Sequence, residues 1–205
     1  SFHTYSSGQE QAKRQFVSRF VAENRPRVLW DMGCNSGEYS EIALISGASK
    51  VIGFDSDHGA LDQALGRAHL RRLELLPLYL DGANPSPAQG WRQQERSGLY
   101  SRRNADAIIA LAFVHHLAIG RNIPLTAVIE WLIDLAPRGI IEFVQKDDPT
   151  VQEMCALRDD VLDGYDEAAF LGVLQSRTKI SATQRNPENG RLLIAYERHS
   201  ASNDK

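Results

Sequence analysis

The sequence predicts an α/β protein built on a mostly parallel sheet with helices on both faces, and three observations carry that expectation. Short apolar runs of strand length alternate with segments of helical spacing through most of the chain. The run Val28 to Gly37 (VLWDMGCNSG) ends in an acidic residue and a Gly-x-Asn-x-Gly turn, and helical spacing follows from Tyr39 to Ile45. A second apolar run, Val51 to Asp55 (VIGFD), again closes on an acid. Strand, glycine turn, helix, strand and acid make the opening of a nucleotide-binding βαβ unit, with the second acid placed for a ribose hydroxyl.

The elements follow in chain order. Residues 1–8 are polar and turn-rich, and Gln9 to Asn24 carries Phe16, Val17, Phe20 and Val21 at helical spacing. Pro26 ends that segment. A strand is predicted over Arg27 to Asp31, a helix over roughly Tyr39 to Ser46 that stops near Gly47, and a second strand over Lys50 to Phe54. The next helix runs from about His58 to Arg72 with Asp57 as its N-cap, and a third strand covers Leu75 to Leu80. Asn84-Pro85-Ser86-Pro87 reads as a proline-rigid turn. Gln89 to Asn104 reads as a solvated connecting helix; its arginines 92, 96, 102 and 103 leave a grip on a phosphate-bearing substrate as the rival reading.

A fourth strand spans Ala107 to Leu111, and Phe113-Val114-His115-His116-Leu117 comes directly after it. The helix over Pro124 to Leu135 has proline in its first turn and Ala136-Pro137-Arg138-Gly139 as its stop. Ile140 to Val144 is the fifth strand and contains Glu142; Gln145 to Pro149 is a polar loop whose charges read mainly as solvated. Two amphipathic segments are predicted at Val151 to Leu162 and Asp166 to Ser176. The β-prone runs Lys179 to Gln184 and Arg191 to Tyr196, joined by Asn186 to Gly190, form a hairpin signal. Residues 201–205 are expected to be a disordered tail.

Composition narrows the class. The 205 residues fit one domain, with 42% hydrophobic and 24% charged residues. A net charge of −3 and a pI near 6.1 weigh against a nucleic-acid partner, which needs a basic face. Cys34 and Cys155 are isolated thiols with neither metal spacing nor a disulfide framework, so no metal site is expected and a reducing cytoplasm is. No run is long enough to span a bilayer and no signal peptide is visible, which reads as a soluble protein with no membrane partner. The start at Ser1-Phe2 reads as processing or as excision from a larger multidomain chain.

The spacing Asp31-x-Gly33-x-Asn35-x-Gly37 is one residue tighter at its end than the dinucleotide fingerprint, and no Lys-Ser/Thr pair follows to make a P-loop. An acid two residues before the first glycine suits a ligand bearing an ammonium group. On these residues the chain, from Arg27 to Arg198, resembles the class I S-adenosylmethionine-dependent methyltransferases. The runs LDGANPSP, ALAFVHHLAIGRNIPL and IIEFVQKDDPTVQ are similar to nodulation-type methyltransferases and to O-methyltransferase domains of polyketide synthases. Asn35 departs from the glycine of many members but also tolerates left-handed backbone. The resemblance implies a Rossmann-like class I methyltransferase fold: a mostly parallel seven-stranded sheet with a reversed last strand. It implies residues 1–25 as an N-terminal helix and lid, 26–198 as the methyltransferase domain and 199–205 as a tail. Tyr5, Ser6, Glu10 and Lys13 are the lid candidates.

It also implies a cofactor set. Asp31 would meet the methionine ammonium, Gly33, Cys34, Asn35 and Gly37 the close backbone approach, Asp55 and Ser56 the ribose, Asp81 and Gly82 the adenine, and Ala110 the end of strand four. The cofactor is S-adenosyl-L-methionine, the product S-adenosyl-L-homocysteine. Methyl transfer to a hydroxyl requires removal of its proton, and histidine is the side chain suited to that at neutral pH. His115 and His116 are therefore the candidate bases, neither preferred; adjacent helix positions lie about 100° apart, so both cannot face one way. Glu142 is the candidate orienting carboxylate, with a backbone-bonded structural glutamate as the rival reading. The expected reaction is O-methylation of a small or acyl-carrier-bound metabolite of polyketide type. RNA or nitrogen methylation and a catalytically inactive cofactor-binding or scaffolding module are the alternatives.

Overall fold

A computed structural model describes residues 7–156 and 163–199. The lid candidates Tyr5 and Ser6, the end of the segment predicted to reach Leu162, and the tail from residue 200 lie outside the described residues. The protein has a seven-stranded sheet of order β3-β2-β1-β4-β5-β7-β6. By compactness the chain divides into two units, Ser1–Leu111 and Ala112–Lys205.

The first unit holds strands β1 (Val28–Met32), β2 (Lys50–Asp55), β3 (Leu75–Tyr79) and β4 (Ala107–Ala110), with helices α1 (Ser7–Asn24), α2 (Glu38–Ile45) and α3 (His58–Arg71). β1 pairs in parallel with β2 and β4, and β2 with β3. Every residue of β1 and β4 is buried, as expected of parallel strands covered on both faces, so Asp31 is an acid in the core. Asp57 caps α3 as predicted, accepting from the N–H groups of Gly59 and Ala60 at 2.8 and 3.2 Å. Glu41 of α2 is buried and paired at 2.7 Å with Arg67 of α3, which ties the two helices together.

In the edge strand, Val51 N–H donates to Glu74 and Leu80 N–H donates to the Asp55 carbonyl. Even-numbered backbone groups therefore face β2, and the missing N–H of Pro77 falls on the open edge, where no ladder bond is lost.

The helix expected over Gln89 to Asn104 is not formed. The segment makes two single 3-10 turns, Trp91–Gln93 and Tyr100–Arg102, and a small loop closed by paired backbone bonds between Gln89 and Arg96 at 2.9 and 3.1 Å. Trp91 and Leu99 are the apolar residues within 91–99, too far apart to make a helical stripe, and Gly90 and Gly98 interrupt any helix. Gly90, Arg92 and Gln93 take positive φ at 84°, 54° and 58°, which turns the chain back on itself.

The second unit contains α4 (Val114–Ala118), α5 (Leu125–Leu135), β5 (Arg138–Phe143), α6 (Pro149–Cys155), α7 (Glu167–Arg177), β6 (Thr178–Arg185) and β7 (Leu192–Arg198). β7 runs antiparallel to both β5 and β6, giving the reversed final strand, and a bulge lies between Ile180 and Ala182. Pro124 is the cap of α5 rather than its first residue: at φ −49° and ψ 130° it is still extended. The predicted solvated loop after β5 also needs correction at Asp148. That residue is buried, caps α6 by accepting from Thr150 N–H at 2.9 Å, and receives Nε and Nη2 of buried Arg191 at 2.7 and 3.1 Å. Burial alone would raise the Asp148 pKa, but the Arg191 guanidinium holds it below the usual carboxylate range. Among the described residues no helix is long and apolar enough to cross a membrane.

Candidate functional site

The ends of β1 to β4 bring the predicted cofactor residues of the first unit to one edge. In the turn after β1, the N–H groups of Gly33 and Cys34 both donate to the Phe54 carbonyl, at 2.8 and 2.9 Å. Gly33 and Gly37 both have φ of 78°, and Asn35 has 47°, so the asparagine does take the left-handed backbone that its substitution for glycine demands. Its Oδ1 accepts from Ser36 N–H at 2.7 Å, which holds the turn from within. The turn sits close against β2 because Gly53 lacks a side chain: a Cβ there would meet Cys34 Sγ at 2.9 Å. Burial pushes the Cys34 thiol up, and the nearby Asp31 and Asp55 charges add to that shift, so Cys34 packs as an apolar group.

Asp55 joins the turn to the end of β2. Its Oδ2 accepts from Asn35 N–H at 2.8 Å and its Oδ1 from Asp57 N–H at 3.0 Å. Each carboxylate oxygen keeps lone-pair capacity beyond that one bond, so a diol can still be accepted. Ser56 beside it is exposed. The end of β3 is fastened next to this acid by Leu80 N–H donating to the Asp55 carbonyl at 2.9 Å. One residue on, Asp81 is half-buried, and its Oδ1 accepts from Ala83 N–H at 3.0 Å in a tight turn that includes Gly82. Ala110 is fully buried at the end of β4, one step past the Asp31–Ile109 register pair.

Asp31 is the electrostatic centre of this half. It is 2% exposed and accepts from Ser40 Oγ of α2 at 2.6 Å. Burial pushes its pKa up to about 7, against the opposing pull of the Ser40 bond. Ser40 was not among the predicted site residues; its place nine residues on, in the first turn of α2, was the available signal. A second unpredicted feature is the ring stack of His58 on Tyr79, 4.8 Å between centroids and 9° from parallel, beside the ends of β2 and β3.

The second unit holds the three candidate catalytic residues. α4 presents His115 inward, 1% exposed, and His116 outward to solvent, so the two adjacent histidines divide as helix geometry requires. Their rings remain 4.3 Å apart. Glu142 in β5 is 1% exposed, and its Oε2 accepts from Ala112 N–H at 2.6 Å. Ala112 has φ of 50°, a left-handed conformation that a β-carbon disfavours, and it lies two residues before α4, next to the N-cap Phe113. The buried carboxylate thus holds the strained turn that launches the histidine helix. Among the described residues no cluster of histidine, cysteine and acidic groups could hold a metal.

The fold has many solved counterparts. N-methyltransferase NodS from Bradyrhizobium japonicum WM9, in complex with S-adenosyl-L-homocysteine, superposes with a TM-score of 0.65 at 12% identity, covering 94% of this chain and 88% of NodS. Magnesium protoporphyrin IX methyltransferase (ChlM) from Synechocystis PCC 6803, with the same product bound, gives 0.63 at 20% identity over 97% of this chain and 90% of that one. No family model matches the chain. Nodulation protein NoeA of Rhizobium meliloti (strain 1021) is 47% identical over 196 residues, 96% of this chain and 41% of NoeA, so the chain spans about two fifths of that relative's length. The protein has the class I methyltransferase fold.

Proposed function

We propose that this chain is an S-adenosylmethionine-dependent methyltransferase that acts on a hydroxyl of a small or carrier-bound metabolite of polyketide type. The observation that carries the cofactor is the arrangement around Asp55: a left-handed turn fastened to an acid that still has acceptor capacity. It lies beside a second acid, Asp81, and on the same edge as buried Asp31. This set fits a nucleoside with an amino-acid arm. Asp55 takes the ribose hydroxyls, Asp81 the adenine amino group and Asp31 the ammonium. The likeness of the fold to proteins solved with S-adenosylhomocysteine supports the same assignment.

When bound, the cofactor supplies an electrophilic methyl group on a sulfonium. The chain's own tasks are to hold that group, exclude water and take the acceptor proton. His116 is the proposed base, because its imidazole is exposed where that of His115 is buried. His115 backs the ring of His116, and Glu142 acts as a positioning residue through Ala112. Two unpaired cysteines support a reducing, cytoplasmic setting.

Titration calorimetry with S-adenosylmethionine and S-adenosylhomocysteine tests the cofactor, followed by transfer of a labelled methyl group to a panel of hydroxylated acyl carriers and free hydroxy acids. Micromolar binding with transfer to an oxygen supports the reading. Binding without transfer to any acceptor, amines and RNA included, favours an inactive cofactor-binding module. Absence of binding overturns the methyltransferase reading.

A further inference from the structure

The connection from β3 to β4 departs from the layering of the rest of the first unit. There α2 and α3 cover the sheet face that carries the odd-numbered strand residues: Asp31 accepts from Ser40 of α2, and a β-carbon on Gly37 would touch Leu75 and Ala64. Leu76 and Leu78 share the opposite face with their register partners Ile52 and Phe54, and both leucines are exposed. Parallel sheets are normally covered on both faces by their crossover helices. Here the crossover, residues 80–106, holds only the two 3-10 turns.

The loop that stands in place of a helix has the composition of an interface. Its limbs are closed by the Gln89–Arg96 bonds and by Leu99 N–H donating to the Ser86 carbonyl at 3.0 Å. On this frame Trp91 is 78% exposed, and Tyr100 is exposed with the Arg103 guanidinium 3.7 Å from its ring centroid. Arg92, Arg96 and Arg102 are exposed as well. Tryptophan, tyrosine and arginine dominate the binding energy of protein interfaces, and lysine, which interfaces disfavour, is absent from 89–104. A single exposed apolar residue is ordinary; two aromatic rings among four arginines are not.

Charge selects the partner. With four arginines and Glu95, the segment carries +3 in a chain of net −3, so the rest of the chain carries −6. A second copy would set two like-charged patches face to face. A long nucleic acid would run off the loop onto a chain of net negative charge. A compact acidic protein meets neither obstacle. The crossover also begins at Asp81, on the cofactor edge, so a partner seated on it stands beside the methyl donor. We propose that residues 89–103 are the docking surface for an acidic carrier protein that presents the methyl acceptor on its covalent arm. Trp91 and Tyr100 form the apolar centre of that surface, and Arg92, Arg96, Arg102 and Arg103 answer the partner's carboxylates. This rests on the methyltransferase reading above, and of the free and carrier-bound acceptors named there it selects the carrier-bound one.

The test titrates holo-acyl carrier protein, with its arm but no acyl group, into the full chain with and without S-adenosylhomocysteine. Wild type is compared with Trp91→Ser and with the double variant Arg92→Asn, Arg102→Ser; asparagine suits the φ of 54° at position 92. Wild type should bind with a Kd of about 1–100 μM, weakening at least about tenfold between about 0.05 M and 0.3 M salt. Each variant should lose carrier affinity at least about tenfold. Affinity for S-adenosylhomocysteine should stay within about twofold and the melting temperature unchanged, because all three side chains are exposed. A wild type that binds S-adenosylhomocysteine but no carrier protein, or variants that bind the carrier as well as wild type does, overturn the proposal. Tighter binding of a single-stranded RNA oligomer or of phosphatidylserine vesicles than of the carrier overturns it in favour of that partner. A wild type that binds no S-adenosylhomocysteine fails at the earlier step, the methyltransferase reading itself.

Discussion

The backbone N–H of Asn35 donates to Oδ2 of Asp55 at 2.8 Å, so the left-handed turn after β1 is fastened by the carboxylate that closes β2. One side chain thus serves two purposes: it shapes the turn and it faces the proposed ribose. Asp55→Asn keeps one good acceptor and replaces the other with a donor, whereas Asp55→Ala frees both Asn35 and Asp57 N–H groups. Asp55→Ala should therefore lower affinity for S-adenosylhomocysteine at least about a hundredfold, through loss of two or more hydrogen bonds to a charged group. Asp55→Asn should fall between it and the wild type. Calorimetry measures the affinities, and a melting curve for each variant separates lost contacts from lost folding.

Asp31 predicts a pH dependence of definite sign. Its folded pKa, about 7, lies above its ordinary value of 3.8, so between those limits the folded state holds a proton that the unfolded state has released. Stability from this group is complete below about pH 4, declines as pH rises towards 7 and is gone above it. A rise of about three units sets an upper bound of about 4 kcal/mol. Asp31→Asn removes the titration. In the ligand-free protein the variant should gain in melting temperature relative to wild type at pH 8, and the gain should shrink at pH 5. At the same time it should bind S-adenosylhomocysteine poorly. An unchanged difference between the two pH values would show that Asp31 is already ionised at pH 5.

Gly37 caps α2 at φ 78°, and a β-carbon there would stand 3.0 Å from Leu75 Cδ2 and 3.2 Å from Ala64 Cβ. Two separate costs apply to Gly37→Ala, left-handed backbone and crowding against buried neighbours. Together they amount to about 2–4 kcal/mol. Urea denaturation should show the midpoint falling with little change in slope. A loss under about 0.5 kcal/mol would mean that the turn relaxes freely, against the tight packing of the glycine turn on β3 and α3.

The turn that joins β1 to α2 is legible in the sequence because its signals are local. An apolar run that ends in an acid, a glycine turn and a second acid all fall between Val28 and Asp55, and backbone requirements at Gly33, Asn35 and Gly37 restrict residue choice. Residues whose roles depend on distant partners are not legible in this way. Asp148 looks solvated among Lys146 and Asp147, and only the approach of Arg191, 43 residues on, shows it as a buried cap. Lys13 reads in the sequence as a lid candidate, and only the packing of α1 shows that it is buried. The segment 89–104 failed for another reason. Charged residues are compatible with a helix, but without an apolar stripe to bury, the glycines and the Gln89–Arg96 bridge decide its course.

The histidine pair gives the sharpest catalytic prediction, because burial distinguishes two neighbours of identical chemistry. His116 is exposed and His115 is 1% exposed, with rings 4.3 Å apart. If His116 is the base, His116→Ala should lower kcat by about 100- to 10,000-fold, with cofactor affinity within about twofold and the melting temperature nearly unchanged. His115→Ala should instead lose stability, by about 2 kcal/mol or more for a buried side chain, and lose rate only in part. Glu142→Gln keeps an acceptor for the Ala112 N–H and should preserve folding. Glu142→Ala leaves that half-buried donor and the left-handed Ala112 without the Glu142 bond, at a cost of about 1–3 kcal/mol. The decisive measurement is the pH profile of kcat in the wild type and in Glu142→Gln. A purely positioning role leaves the lower limb of that profile where it was, whereas a carboxylate that stabilises the imidazolium would shift the limb to lower pH when it is neutralised. Full turnover in His116→Ala would remove the base assignment and leave the acceptor to lose its proton to water.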